Sequence, residues 1–176
     1  MAIKTKVAGG AAILAAIAMF ITPFEGTKTK AYRDPVGIMT ICTGETQGVY
    51  AGETKTKQEC EAMLIKRIPD YLGPVDKMMP GLPDNRRIAY TDFSYNLGPG
   101  ALGWRTWYCT LPGKSGAACP KKYRHDIPGT SVVDLEKSGK WENACARLLL
   151  FDTAGGKKLK GLTIRRNKEY KTCIGK

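Results

Sequence analysis

The chain opens with a long uncharged segment. Lys4 and Lys6 precede a run from Val7 to Ile21 that is rich in alanine, glycine and isoleucine. A basic start followed by an apolar run is typical of an export signal. The run is short for a transmembrane helix, which needs about 20 residues, and its glycines and alanines make it weakly hydrophobic. Two interpretations remain open: a cleavable signal peptide with a small-residue site at Ala16-Ile17-Ala18, or an uncleaved weak membrane anchor.

The rest of the chain alternates between strand-like and helix-like patterns. Turn residues around 35–37, Gly44 and Gly48 separate short apolar pieces, which predicts a small antiparallel sheet within 30–55. Thr56, followed three residues later by Glu59, forms a capping box that opens a helix to about residue 68. Helical spacing of apolar residues predicts three more helices, over about 85–97 with Asp84 as its cap, 141–151 and 160–173.

Length and charge narrow the class of protein. A chain of 176 residues predicts one domain with an appendage. The formal net charge of +12 indicates a polyanionic partner, such as nucleic acid, an anionic membrane or the acidic polymers of a bacterial envelope. Because no nucleic-acid motif accompanies the charge, we expect no nucleic-acid partner.

Six cysteines beside an export segment indicate disulfides formed in an oxidising compartment. We predict the pairs Cys109–Cys119, which closes a local loop, Cys42–Cys60 and Cys145–Cys173.

A single histidine, His125, and the absence of paired Cys-x-x-Cys spacing argue against a metal site, and we expect no cofactor. Trp104, Trp107 and Trp141 are interpreted as core residues, the first two with sugar platforms as the alternative.

Glu25, Asp34 and Thr40 form an ordered series of candidate catalytic residues. The pattern predicts Glu25 at the end of a helix, Asp34 at a turn and Thr40 on a strand, three elements that would converge on one cleft. In most glycoside hydrolases, one carboxyl group donates a proton and a second serves the incoming water or the developing cation. Spacing alone is weak support, because most pairs among sixteen acidic residues are solvated surface charges.

Three stretches resemble the phage-type lysozymes, glycoside hydrolase family 24. They are Phe24-Glu25-Gly26 with Ala31-Tyr32-Arg33-Asp34 and Gly37-Ile38-Met39-Thr40-Ile41; Phe93-Ser94-Tyr95-Asn96-Leu97-Gly98; and Ala154-Gly155-Gly156 with Gly161-Leu162-Thr163-Ile164-Arg165-Arg166. The likeness spans residues 24 to about 173. The family often has glycine where Cys42 stands and histidine or asparagine where Glu45 stands.

The resemblance implies an α+β, lysozyme-like fold: an N-terminal helix, a small antiparallel sheet and a helical C-terminal lobe, with the cleft between. It also implies hydrolysis of peptidoglycan at the β-1,4 bond between N-acetylmuramic acid and N-acetylglucosamine. Glu25 would be the general acid. Asp34 would stabilise positive charge at the sugar ring or help to orient water, and Thr40 would hold that water.

Two further roles follow from the same resemblance. Asn96 would contact the substrate near the end of its helix. Arg165 or Arg166 would pair with Glu25, as an arginine of the family does near the catalytic acid.

The family context favours the anchor over the signal peptide. The residues before the catalytic glutamate form a helix in this fold, and cleavage after Ala18 would leave only six of them. We therefore predict that residues 1–23 stay attached as a weak anchor and that residues 24–176 form the muramidase domain. This combination resembles the signal-arrest-release endolysins. It implies a monomer that is inactive in the host inner membrane, facing the periplasm, until it is released.

Two alternatives stay open at this point. A lytic transglycosylase cleaves the same bond without a positioned water, although Asp34 and Thr40 speak against it. A membrane-anchored basic module that only binds the envelope would explain the charge, but not the ordered series of Glu25, Asp34 and Thr40.

Overall fold

An apolar N-terminal helix packs onto the rest of the chain. The structure, a computed structural model, describes residues 10–34, 37–105, 107–110 and 124–176. Helix α1 (Gly10–Glu25) buries one face, formed by Ile13, Ile17, Ala18, Phe20 and Ile21. Four residues of this face, Ile13, Ile17, Ala18 and Ile21, join Leu64, Ile68 and Leu72 in one apolar cluster. Within the described ranges, no helix is long and apolar enough to cross a membrane.

A small hairpin follows α1, as predicted. Strands β1 (Lys28–Arg33) and β2 (Met39–Cys42) pair in antiparallel fashion, with Tyr32 opposite Thr40. Isolated bridges from Lys30 to Thr54 and from Ile41 to Glu45 extend the pairing. The region between about 30 and 55 is therefore a short sheet held by turns.

Two consecutive helices lie between the sheet and the middle of the chain. Helix α2 (Lys57–Arg67) begins at the predicted capping box, in which Thr56 and Glu59 bond each other's backbone N–H groups. Helix α3 (Pro69–Met78) was not predicted. Proline ends a preceding helix, but it is also well suited to the first position of a new one, because its fixed φ suits that position and its missing N–H needs no partner there.

Helix α4 (Asp84–Leu97) lies at the centre of the fold. Its buried residues are Ala89, Tyr90, Thr91, Asp92, Phe93 and Ser94. The predicted cap is wrong: Pro83 is the N-cap, and Asp84 lies in the first turn, where its Oδ1 accepts a hydrogen bond from Arg87 Nη1 at 3.0 Å. A carboxylate in a first turn is favourable without being the cap, because it faces the positive end of the helix dipole.

Short elements complete the C-terminal lobe. They are a 3-10 helix at Ala101–Gly103, antiparallel strands β3 (Trp107–Cys109) and β4 (Arg124–Asp126), helices α5 (Val132–Lys137) and α6 (Trp141–Arg147), a 3-10 helix at Leu148–Leu150, strands β5 (Thr153–Ala154) and β6 (Lys157–Lys158), and helix α7 (Lys160–Cys173). The helix predicted over 141–151 is thus divided between α6 and a 3-10 turn. The last helix has the predicted bounds.

Two of the predicted disulfides are confirmed. Cys42 bonds to Cys60 and Cys145 to Cys173. The predicted Cys109–Cys119 pair is not covered, because Cys119 and the side chain of Cys109 lie outside the described part of the chain, as do the side chains of Trp107 and His125.

The interpretation of two tryptophans as core residues is wrong. Trp104 is 48% exposed and Trp141 is 37% exposed. The Trp141 ring lies 5.3 Å from the Arg86 guanidinium, and the Trp104 ring lies 6.1 Å from that of Phe151. Each ring therefore covers a neighbour at the surface, a position that suits its polar indole N–H.

Candidate active site

Glu25 is the last residue of α1, as the sequence pattern predicted. The helix ends there because Gly26, with φ 69°, turns the chain away while its N–H still bonds to Thr22 O at 3.0 Å. The Glu25 side chain is 27% exposed, and its Oε1 accepts a hydrogen bond from Arg165 Nη1 at 2.7 Å. The predicted pairing of Glu25 with an arginine of the last helix is thus confirmed for Arg165.

Arg165 is itself fixed by a second carboxylate. Its Nε and Nη2 donate to the two oxygens of Asp92, at 2.9 and 2.8 Å. Burial alone would lower the pKa of Arg165, but the hydrogen bonds with Asp92 and Glu25 outweigh it and raise that pKa. The arginine is therefore a permanent cation that joins α4, α7 and the end of α1.

Asn96 lies near the end of α4 and lines the same pocket as Glu25. Arg166 Nη2 donates to Asn96 Oδ1 at 2.8 Å, which orients the amide. The pocket has a volume of about 800 Å³, and it is lined by Pro23, Phe24, Glu25, Asn96, Leu159, Gly161, Leu162, Ile164, Arg165 and Lys168. It is large enough for a small ligand and combines apolar walls with a few polar groups.

Asp34 closes the turn between β1 and β2. Its Oδ1 accepts the N–H of Ile38 at 2.8 Å, and its own N–H donates to Ile38 O at 2.9 Å. Arg33 Nη1 adds a bond to Gly37 O at 2.8 Å. The carboxylate therefore has a defined position at the tip of the hairpin, where a turn was predicted.

Thr40 lies on β2, opposite Tyr32, as predicted for a strand position. The residue is 4% exposed, and its Oγ1 donates to Ile38 O at 3.1 Å. Neither Thr40 nor Asp34 lines the pocket that contains Glu25 and Asn96. The structure thus brings Glu25 and Asn96 together and leaves the other two on the hairpin.

Tyr95 links the helical lobe to the hairpin side. Its hydroxyl donates to Thr43 O at 2.9 Å, one residue beyond β2. Burial, and second the charge of Glu25, raise the pKa of Tyr95 to about 12. A second pocket, of about 630 Å³, opens on this side and is lined by Ala18, Met19, Thr22, Pro23, Thr27, Thr43, Lys57 and Glu61. The end of α1 therefore separates two pockets, and Pro23 lines both.

Three residues of this site were not identified from the sequence: Asp92, Tyr95 and Glu169, whose Oε1 lies 2.8 Å from Arg166 Nη2. Asp92 and Asn96 lie four positions apart on α4, as Arg165 and Glu169 do on α7. Residues at that spacing share a helix face. The spacing could have placed each pair on one face, but it does not show that the two faces meet. Within the described ranges, this site included, no group of three or more His, Cys, Asp and Glu side chains is placed to hold a metal ion.

Comparison with known families identifies the fold. The model of the phage lysozyme family matches residues 22–121, more than half of the chain. This chain belongs to the phage lysozyme family. Membership makes it a glycosidase of the lysozyme type with the lysozyme-like α+β fold that its motifs implied.

Individual proteins extend the match over nearly the whole chain. The SAR-endolysin of Pseudomonas phage phiKMV is 33% identical over 94% of this chain and 89% of that protein. The crystal structure of the active form of P1 phage endolysin Lyz has a TM-score of 0.70, with 27% identity, over 96% of this chain and 94% of that one. The secreted inactive form of the same endolysin has a TM-score of 0.51, with 25% identity and 96% coverage of both chains.

Proposed function

We propose that this phage lysozyme is an endolysin that hydrolyses the β-1,4 bonds between N-acetylmuramic acid and N-acetylglucosamine in peptidoglycan, and so lyses the host cell. The observation that carries the proposal is the Glu25 carboxyl group, which ends a helix at the wall of a pocket of about 800 Å³ and is paired with a buried arginine. The net charge of +12 suits an anionic envelope.

Glu25 acts as the general acid in this proposal. Its protonated carboxyl group gives a proton to the leaving glycosidic oxygen. The carboxylate that forms is stabilised by Arg165 Nη1, which is already within hydrogen-bond distance. Asp34 stabilises the positive charge that develops on the sugar ring or helps to orient water. Thr40 holds that water by its hydroxyl, and Asn96 contacts the substrate in the pocket beside Glu25.

We further propose that residues 1–23 hold the protein in the host inner membrane, facing the periplasm, until it is released there as a monomer. The described part of this segment supports a switch. Ile13, Ile17 and Ile21 are buried against the protein in the structure, at 2%, 0% and 0% exposure. The same side chains cannot face lipid and fill this core at once, so the anchored state lacks the packed helix that ends in Glu25.

The likeness to the P1 endolysin supports the same proposal. This chain is closer to the active form of that protein than to its secreted inactive form, with TM-scores of 0.70 and 0.51. We therefore interpret the arrangement with α1 packed on α2 and α4 as the active state.

The decisive experiment compares wild type with Glu25→Gln on permeabilised Gram-negative cells. Wild type should clear the suspension. Glu25→Gln keeps the size of the side chain and removes the proton, so it should lose about 10²–10⁴-fold in rate. Glu142→Gln, at an exposed position of α6, is the matched control and should keep wild-type activity. Near wild-type turnover of folded Glu25→Gln would contradict the assignment.

Analysis of the products separates the rival reactions. Hydrolysis leaves reducing ends on purified glycan, whereas a lytic transglycosylase leaves anhydro-muramic ends. A module that only binds the envelope would release neither. Reducing ends that appear with wild type and not with Glu25→Gln would decide for the hydrolase.

A further inference from the structure

Asp92 accepts hydrogen bonds from two of the three guanidinium nitrogens of Arg165, the arginine that bonds to Glu25. The guanidinium of Arg165 donates Nε and Nη2 to Asp92, at 2.9 and 2.8 Å, and Nη1 to Glu25, at 2.7 Å. Asp92 is 0% exposed and Arg165 is 4% exposed. A bidentate pair of this kind fixes the plane of the guanidinium as well as its distance. Arg165 Nη1, the remaining nitrogen, therefore points toward Glu25 at the end of α1.

Asp92 is enclosed on all sides by the protein. It lies in the middle of α4, between neighbours on the helix that are themselves fully buried, Thr91 and Phe93. A buried carboxylate is stable only when it is paired and hydrogen-bonded, and both of its oxygens meet that condition through Arg165. The Asp92–Arg165 pair thus fixes the Glu25 carboxyl group on α1 relative to helix α4.

Several charged groups surround this contact. From α7, Arg165 bonds to Glu25, Lys168 lines the same pocket, and Arg166 bonds to Asn96. Glu169 Oε1, fully buried on α7, lies 2.8 Å from Arg166 Nη2 and 3.7 Å from Arg165 Nε. Tyr95 faces Glu25 from α4 and has a raised pKa, chiefly through burial. Three cations, Arg165, Arg166 and Lys168, thus lie on the α7 side of Glu25, and removal of the Asp92 carboxylate would increase this excess of positive charge.

We infer that Asp92 is a positioning residue for the general acid: it aims Arg165 at Glu25 and neutralises the arginine, so that Glu25 is held in place yet can still take up its proton. This inference rests on the proposed role of Glu25. A cation without a counter-charge would hold Glu25 in its ionised form, which cannot donate. Asp92 provides the counter-charge from the side of the guanidinium that faces away from Glu25.

The test uses Asp92→Asn, which keeps the shape and removes the charge. Turnover by a general acid falls as the pH rises through the titration of that acid. In Asp92→Asn the uncompensated Arg165 favours the ionised carboxylate, so the alkaline limb of the pH–rate profile should move to lower pH by about one unit. At neutral pH, kcat should fall by about tenfold for such a shift, with KM nearly unchanged.

A matched control exists near the start of α4. Arg87 donates Nε and Nη2 to Asp76, both at 2.8 Å, and Nη1 to Asp84 at 3.0 Å, which reproduces the same three-bond geometry away from Glu25. Asp76→Asn should leave the pH–rate profile where it is in wild type. If both variants moved it equally, general destabilisation would explain the shift and the inference would be overturned.

A double variant covers the case in which Asp92→Asn does not fold. Removing both partners of a buried ion pair is much better tolerated than removing one. Asp92→Asn combined with Arg165→Gln should therefore fold and should have the same kcat and pH profile as Arg165→Gln alone. An additional loss of more than about fivefold, or a wild-type profile in a folded Asp92→Asn, would overturn the inference. An inactive wild type would instead refute the proposed function.

Discussion

The ammonium group of Lys168 lies 4.5 Å from the centroid of the Phe20 ring and 5.0 Å from that of Phe24. Both rings belong to the last two turns of α1, and the guanidinium of Arg165 lies 5.1 Å from the Phe24 ring. Cations at such distances are attracted to the negative face of an aromatic ring. Helix α7 therefore holds the end of α1 through two cation–π contacts from Lys168 and the ion pair with Glu25.

We expect Lys168→Ala to loosen the docked α1. Loss of both contacts should lower the free energy of unfolding by about 1 kcal/mol, measured by urea denaturation. Amide hydrogen exchange over residues 10–25 should also become faster, because α1 would open more often. Lys171→Ala, at an exposed position three residues later on α7, should change stability by less than about 0.5 kcal/mol. Equal losses in the two variants would exclude a specific contact.

Local sequence rules predicted much of the fold. The capping box at Thr56 and the glycine after Glu25 fix the ends of their helices by hydrogen bonds within a few residues, so they could be read from the chain. Helix α3 was missed because Pro69 can either end one helix or begin the next. The sequence does not indicate which role applies, since that depends on the packing of Leu72 and Val75 in the core.

The candidate site was predicted less completely. The positions of Glu25, Asp34 and Thr40 on a helix end, a turn and a strand follow from local pattern. The contacts of Arg165 with Asp92 and Glu25 join residues 73 and 140 positions apart, and no local rule reaches that far. Asp92 also lies on a helix that is buried on most sides, where periodicity gives no preferred face.

Substitutions of Thr40 can separate the proposed role of its hydroxyl group from the packing of its side chain. Thr40→Val keeps the shape of the side chain, and Ile38 O, its present partner, still accepts the N–H of Asp34 at 2.9 Å. We therefore expect a folded protein with a clear loss of kcat, smaller than the loss of about 10²–10⁴-fold expected for Glu25→Gln. Thr40→Ser keeps the hydroxyl and should retain most activity. If Thr40→Val were as active as wild type, Thr40 would not hold the reacting water.

Cys42 occupies a backbone position that favours glycine. Its φ is 57°, and it is the one non-glycine residue with positive φ in the described ranges. Phage lysozymes often have glycine there, and in this chain the disulfide with Cys60 holds the position instead. Cys42→Gly with Cys60→Ala should therefore be more stable than Cys42→Ala with Cys60→Ala by about 1–2 kcal/mol in urea denaturation. Equal stability of the two disulfide-free variants would contradict this account.

Glu169 should make stability depend on pH. Burial, and second the neighbouring Asp92, raise the pKa of Glu169 well above its ordinary value of 4.5, against the opposing effect of Arg166 and Arg165. The unfolded chain releases this proton near that value, whereas the folded protein keeps it. The contribution of this raised pKa to the free energy of unfolding is therefore complete below about pH 4.5. It is lost as the pH rises, by about 1.4 kcal/mol per pH unit, until Glu169 of the folded protein releases its proton.

Glu169→Gln should remove this dependence, because glutamine stays neutral at every pH. Its free energy of unfolding, measured in urea at pH 5 and pH 8, should fall less over that interval than that of wild type. Glu142→Gln is exposed and should follow wild type. A Glu169→Gln variant that lost as much stability as wild type between the two pH values would show that Glu169 is ionised in the folded protein.

The exposed start of α1 offers a way to strengthen the proposed anchor without disturbing the docked helix. Gly10, Ala11 and Ala12 face solvent in the structure, and a Cβ at Gly10 would meet no atom within 4 Å. Leucine at these positions is therefore compatible with the docked state. In the membrane, each leucine favours insertion by about 0.3–0.6 kcal/mol. The substitutions should act on the anchored state alone.

We expect the triple leucine variant to stay in the membrane fraction and to delay lysis, because release into the periplasm becomes less favourable. The matched variant with serine at the same three positions should be released earlier and lyse sooner. Both purified proteins, solubilised in detergent, should degrade peptidoglycan at the wild-type rate, since Glu25 and its pocket are unchanged. Lysis by the leucine variant on the wild-type schedule would refute the switch, as would N-terminal sequencing that finds residues 1–18 absent from the active protein. The second result would show that the segment is a signal peptide and that α1 is shortened in the mature enzyme.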